Sequence, residues 1–180
     1  GGWVPGASPT EFPSTIGKKI SPNGKLLLQM HYGPTSIEEV DVTEINLFFA
    51  EEPIQREVDL ITMSPVHLTE PFFINANEVK TFHGIFEVWG DISVLSITPH
   101  CHLLGQAWEV YAVAPNGADT IPMISIPEWD FNWQGIFSYP SLKHIPEGYT
   151  IHAFCTYDNT SNNPNNPNDP PQWMSWGDLT

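Results

Sequence analysis

The sequence predicts an all-β protein, folded as an antiparallel β-sandwich of the jelly-roll kind. Three observations predict it. Runs rich in β-branched and aromatic residues recur roughly every 8–15 residues, the spacing of short strands. Eighteen prolines and thirteen glycines punctuate those runs as turns. No stretch sustains a helical period, so helix should make up under about a tenth of the chain. At 180 residues the chain can bury one large core or two small ones, and 41% hydrophobic content places it among globular rather than disordered sequences.

Taken in order, residues 1–24 are a Pro/Gly-rich lead-in that closes on the turn signal Ser21-Pro22-Asn23-Gly24. Lys25 to Tyr32 (KLLLQMHY) reads as a buried strand, broken by Gly33-Pro34-Thr35. Val40 to Ala50 alternates and then becomes wholly apolar, again strand-like. Glu51-Glu52-Pro53 marks a boundary, which predicts two domains: 1–54, the last strands of a first β-sandwich plus a linker, and 55–180, a second β-sandwich. The second should contain strands at Glu57–Met63, Val79–Val88, Ile92–Pro99, Ala107–Val113, Thr120–Ile126, Gly135–Tyr139 and Tyr149–Tyr157. Turns at Trp89-Gly90-Asp91, Pro115-Asn116-Gly117 and Pro146-Glu147-Gly148 separate them. Asp158 to Pro171 is rich in Asn and Pro; its composition predicts a solvated loop fixed by Asx turns, with a calcium loop as the minor alternative.

Six Lys and Arg stand against 21 Asp and Glu, a formal charge of −15. That balance argues against nucleic acid and anionic membrane as partners, and it suits solubility and cation binding. No apolar run reaches the ~18 residues of a spanning helix. The opening Gly-Gly-Trp reads as a fragment or processed segment.

Chemistry concentrates at Pro99-His100-Cys101-His102. In an extended strand His100 and His102 share a face, roughly 6–7 Å apart at Cα, and can grip one metal ion; Cys101 faces the other way. Two ordinary strand-end histidines are the plain alternative. Of the other histidines, His31 ends an apolar strand, where an imidazole needs a polar partner or a metal. His67 and His144 read as surface residues in turns, and His83 can face either way. Met174 offers a thioether, which with imidazole suits Cu(I). Nothing supports nucleophilic catalysis, a phosphate loop or a dinucleotide site.

Two resemblances meet at the His-x-His. A cupin would use Glu109 and His152 as further ligands, but their spacing is off, and Glu109 has the wrong strand parity relative to His102. The closer resemblance is carried by LQMHYGP (Leu28–Pro34), PHCHLLG (Pro99–Gly105), EWDFNWQ (Glu128–Gln134), CTYDNTSNNPNNP (Cys155–Pro167) and WGDLT (Trp176–Thr180), in that order. It resembles the copper type II, ascorbate-dependent monooxygenases (peptidylglycine α-hydroxylating and dopamine β-monooxygenase), in particular bacterial relatives. The resemblance implies two jelly-roll domains with one copper each. It assigns His31 to the first copper, and His100 and His102 to the second. The second copper's methionine would follow WGDLT, and two further histidines of the first would precede Gly1, so the chain is expected to be the C-terminal part of such a protein. Cys155 is then either free or paired with Cys101. The implied function is hydroxylation of a C–H bond using O2 and an external reductant, ascorbate or another. The substrate would be a small molecule or a peptide, and the protein secreted or periplasmic, with the remainder of the same polypeptide as partner. Thr98 stands where animal peptide-processing members have a substrate-binding arginine, and threonine cannot form that bidentate pair. The rival from another class is a non-catalytic secreted β-sandwich module.

Overall fold

The computed structural model describes residues 8–33 and 35–177. They form two units, one ending at Ile61 and the other starting at Thr62.

In the first unit the only ladder among the described residues is a parallel two-residue pairing of β1 (Ile16–Gly17) with β2 (Arg56–Glu57). The strands expected at Lys25–Tyr32 and Val40–Ala50 do not form, and Glu57–Met63 is reduced to the end of β2. Leu27 is 95% exposed and Phe48 93%, so their apolar faces meet no partner. An extended segment becomes a strand only when a neighbour takes up its backbone groups and covers its face.

The second unit is all-β and sandwich-like. Its strands are β3 (Phe73–Ile74), β4 (Val79–Glu87), β5 (Ile92–Ile97), β6 (Gly105–Val113), β7 (Thr120–Ile126), β8 (Phe137–Ile145), β9 (Thr150–Asp158) and β10 (Met174–Ser175). A single 3₁₀ turn, Pro65–His67, is the one helical element among the described residues. One layer is the antiparallel sheet β4-β9-β6-β7; β5 pairs with β8, and β3 with β10, both antiparallel.

Alternation builds this layer. Phe82 and Gly84 on β4, Val110 and Ala112 on β6, and Ile151, Cys155 and Tyr157 on β9 turn inward. They meet Ile92, Val94 and Ile97 of β5 and Ile145 of β8 in one cluster, and Ile74 and Met174 in a second. Each fully buried side chain of this size contributes about 1.5–3 kcal/mol. The expected turns are present at their glycines: Gly117 and Gly148 adopt φ of +69° and +82°, a region open to glycine without strain. At the free edge of the sheet, the carbonyls of Pro122 and Met123 on β7 accept hydrogen bonds from Lys143 Nζ and Tyr139 Oη on β8.

Candidate metal centre

The His-x-His segment is not a strand. β5 stops at Ile97, and residues 98–104 run as a loop and turn into β6, closed by Gly105 N–H donating to the His102 carbonyl at 3.0 Å. Pro99 lacks an amide hydrogen and cannot extend a ladder, which ends the strand there. The alternation nevertheless survives: His100 is exposed, Cys101 is 2% exposed, and His102 is half-buried.

The two imidazoles converge. His100 Nε2 and His102 Nε2 stand 3.1 Å apart, with ring centres 4.8 Å apart and planes at 87°. Two ring nitrogens about 2.0 Å from a shared ion, subtending roughly 100° there, would stand about 3.1 Å apart with ring centres about 4.9 Å apart. A head-on N–H···N bond of the same length would put the centres about 5.4 Å apart. The pair therefore has the bite of a chelate.

The loop between β7 and β8 sets that bite. Asp130 forms an Asx turn with Asn132, and Trp129 N–H is tied to the Gln106 carbonyl. From this loop Phe131 meets the His102 ring edge-on, with centres 5.5 Å apart. Gln134 donates from Nε2 to the Phe131 carbonyl at 2.9 Å, so its Oε1 faces His100 Nδ1 as an acceptor. Nδ1 must then carry the ring proton, which leaves Nε2 with its lone pair toward His102. A Gln134→Leu variant is expected to bind Cu(II) about tenfold more weakly than the wild type in calorimetry, since losing such an orienting partner costs 10–100-fold (about 1.4–2.7 kcal/mol).

The Asn-rich stretch supports the segment from behind. Asp158 N–H donates to the Leu104 carbonyl at 2.8 Å, and Asn163 Nδ2 donates to the Leu103 carbonyl at 3.2 Å. The expected Asx turns are there, at Asp158, Asn163 and Asn166. The stretch is not simply solvated, however: Asn159 is 0% exposed and Asn163 6%. Asn159 Nδ2 donates to the carbonyls of Asn75 and Gln172, and its Oδ1 accepts from Asn166 Nδ2. With their hydrogen-bonding capacity filled internally, these amides can be buried without loss.

One residue beside the pair, His67, carries no clear sequence signal. A cavity of about 100 Å³ borders His100 and is lined by Met63, His67, Phe72, Trp108 and Trp176. His67 is half-buried there rather than on an open turn, and its Nδ1 accepts from Ser64 N–H at 3.1 Å. The neutral ring therefore carries its proton on Nε2.

The other candidates are placed elsewhere. His31 lies exposed in the first unit. Met174 is a core residue whose Sδ accepts from Asn168 Nδ2 at 3.2 Å. Glu109 is exposed on β6, and among the described residues no group of three or more His, Cys, Asp or Glu could hold a metal ion. His144 is exposed, 3.7 Å from Asp91.

His83 and His152 form a second pair, on β4 and β9. His83 Nε2 and His152 Nδ1 are 2.8 Å apart and the ring centres 5.0 Å. That is close to the head-on value of about 5.1 Å, so the pair shares one proton in a hydrogen bond. Phe154 stacks on His83 with centres 4.3 Å apart. Partial burial, and then the neighbouring His152, hold the His83 pKa below its usual value. A depressed histidine favours the folded state while neutral. Stability is therefore expected to be full above about pH 6.5 and to fall as the pH drops through the lower folded value. Urea unfolding across that range should show the loss, and a His83→Phe variant should flatten it.

Comparison of the chain with family models, with curated proteins and with solved structures gives no match.

Proposed function

We propose that His100 and His102 form a copper site in a protein related to the copper type II, ascorbate-dependent monooxygenases, and that the intact protein hydroxylates a C–H bond with O2 and an external reductant. The observation that carries the reading is the bite of the pair, 3.1 Å between Nε2 atoms and 4.8 Å between ring centres. The ordered run of family-like segments supports it independently. Copper bound there would supply the one-electron chemistry toward O2. The chain's own residues do the rest: Gln134 holds the His100 tautomer and Phe131 backs His102. The small apolar cavity beside His100 gives a substrate group an apolar surface next to the pair. On this reading the second unit is a jelly roll, and His31 belongs to a first copper site. The exposed apolar segments around Leu27 and Phe48 would be strands completed by the remainder of the same polypeptide, in a secreted or periplasmic protein. A non-catalytic module is favoured by one observation: among the described residues no group of three or more His, Cys, Asp or Glu could hold a metal ion.

The test is titration of the metal-free chain with Cu(II), followed by calorimetry and electron paramagnetic resonance. Saturable binding with a type II spectrum and nitrogen hyperfine structure is expected, unchanged in His144→Ala. Absence of saturable binding would sink the proposal. Ascorbate-dependent oxygen uptake by the copper-loaded chain would separate enzyme from module.

A further inference from the structure

We propose that Cys101 and Cys155 close into a reversible disulfide that ties the segment carrying His100 and His102 to the central strand β9. Its consequence for metal affinity rests on the function proposed above; the bond itself does not.

Both cysteines are free thiols, 2% and 5% exposed, in one core cluster. Trp108 stands directly opposite Cys155 in the β6–β9 register, and its indole N–H donates to Cys101 Sγ at 3.2 Å. Directly opposed residues have Cβ atoms about 4.5–5.5 Å apart, so Trp108, which touches the Cys101 sulfur, is itself a neighbour of Cys155. The two cysteines pack in the same buried cluster, with Leu104 and Tyr157. Burial, and then the neighbouring Cys101 thiol, push the Cys155 pKa up. A disulfide needs an S–S distance of about 2.05 Å and Cβ atoms about 3.5–4.5 Å apart. Closing the remaining gap requires movement on one side, and residues 98–104 can supply it because they belong to no ladder. Gly105 leaves the room: a Cβ there would lie 2.1 Å from Cys101 Sγ. Because Cys101 turns inward while His100 is exposed, the bond would form behind the imidazoles and use none of their atoms.

The chemistry balances with a small-molecule disulfide as oxidant. One cysteine sulfur, deprotonated, attacks the oxidant and expels its first thiolate, leaving a mixed disulfide. The second cysteine then gives up its proton and displaces the other thiolate. Two thiols of the protein become one disulfide, and one disulfide of the oxidant becomes two thiols. Buried protonated thiols react slowly, so exchange proceeds through local opening of the 98–104 segment.

The experiment equilibrates the full chain with oxidised or reduced glutathione. It is then quenched in acid, unfolded and alkylated with a maleimide, and the adducts are counted by mass. The expected result is no maleimide adduct after oxidised glutathione and two after reduction. Cys101→Ala and Cys155→Ala should each take up one maleimide or one glutathione. The oxidised form should melt at least ~5 °C higher, an increment lost on reduction. Amide exchange over residues 100–104 should slow about tenfold in the oxidised form. Zinc, which does not oxidise thiols, should bind the oxidised form about fivefold more tightly, because the ligands are held in advance. Two alkylatable thiols after oxidation, even in urea just below the unfolding transition, would overturn the proposal, as would a bond formed only between chains. A disulfide with unchanged amide exchange would overturn the tying role. If neither form binds zinc, the metal reading has failed, while the thiol count and exchange rates still decide the disulfide.

Discussion

Replacing either histidine of the converging pair, His100→Ala or His102→Ala, is expected to weaken Cu(II) binding by about 100-fold or more. With one imidazole bound, the other already presents its Nε2 at 3.1 Å from the first, the separation two ligands of one ion require. The second contact is thus intramolecular, and removing it forfeits an effective concentration that commonly amounts to 10²–10⁴-fold, about 2.7–5.5 kcal/mol. The loss should be similar at either position, because both rings present Nε2 to one point. Binding should also weaken in acid, where protons compete with copper for the imidazoles. Calorimetric titration of the two variants beside His144→Ala is the check. Equal affinity in all three would mean that the ion sits elsewhere.

The second large effect is on stability. Asn159→Leu is expected to cost about 4 kcal/mol. The side chain is fully buried and makes three hydrogen bonds, two as donor and one as acceptor. Leucine strands the carbonyls of Asn75 and Gln172 and leaves Asn166 Nδ2 with the Thr160 carbonyl alone, and each buried unsatisfied group costs about 1–3 kcal/mol. Part of that loss is recovered by relaxation and water entry. Asn159→Asp is nearly isosteric but turns the donor toward two carbonyls into an acceptor, so it should be no milder at neutral pH. Urea unfolding with an unchanged slope would show the loss as a shift in midpoint. A loss below about 1 kcal/mol for both variants would mean that the Asn network is not what holds this stretch.

Periodicity made much of the second unit legible. Strands expected at Val79–Val88, Ile92–Pro99, Ala107–Val113, Thr120–Ile126 and Tyr149–Tyr157 lie within two residues of those observed. The strand placed at Gly135–Tyr139 instead spans Phe137–Ile145. Pattern states what a segment favours once paired, and it is silent about whether a partner exists. Lys25–Tyr32 therefore reads like a core strand and is exposed. The same distinction explains the candidate site. Alternation correctly separates Cys101 from the two histidines, although the backbone there is a loop. The convergence of the rings depends on Gln134 and Phe131, some thirty residues away. His67 carries no local mark, because its place beside His100 is set by how the Pro65–His67 turn packs. Asn159 looks like its neighbours in composition, and only its three partners distinguish it.

The hydrogen bonds from Lys143 and Tyr139 to the β7 carbonyls have a consequence for self-association. An outermost strand is a template on which a foreign chain can crystallise into a growing fibril, provided that its donors and acceptors are vacant. On β7 the acceptors at Pro122 and Met123 are already engaged by side chains, and Pro122 has no amide hydrogen to offer. An invading strand would have to displace both bonds and would still find a gap in the donor row. This rim of the sheet is thereby blunted against amyloid-type growth, even though it carries Ile121 and Ile124, residues that suit such growth.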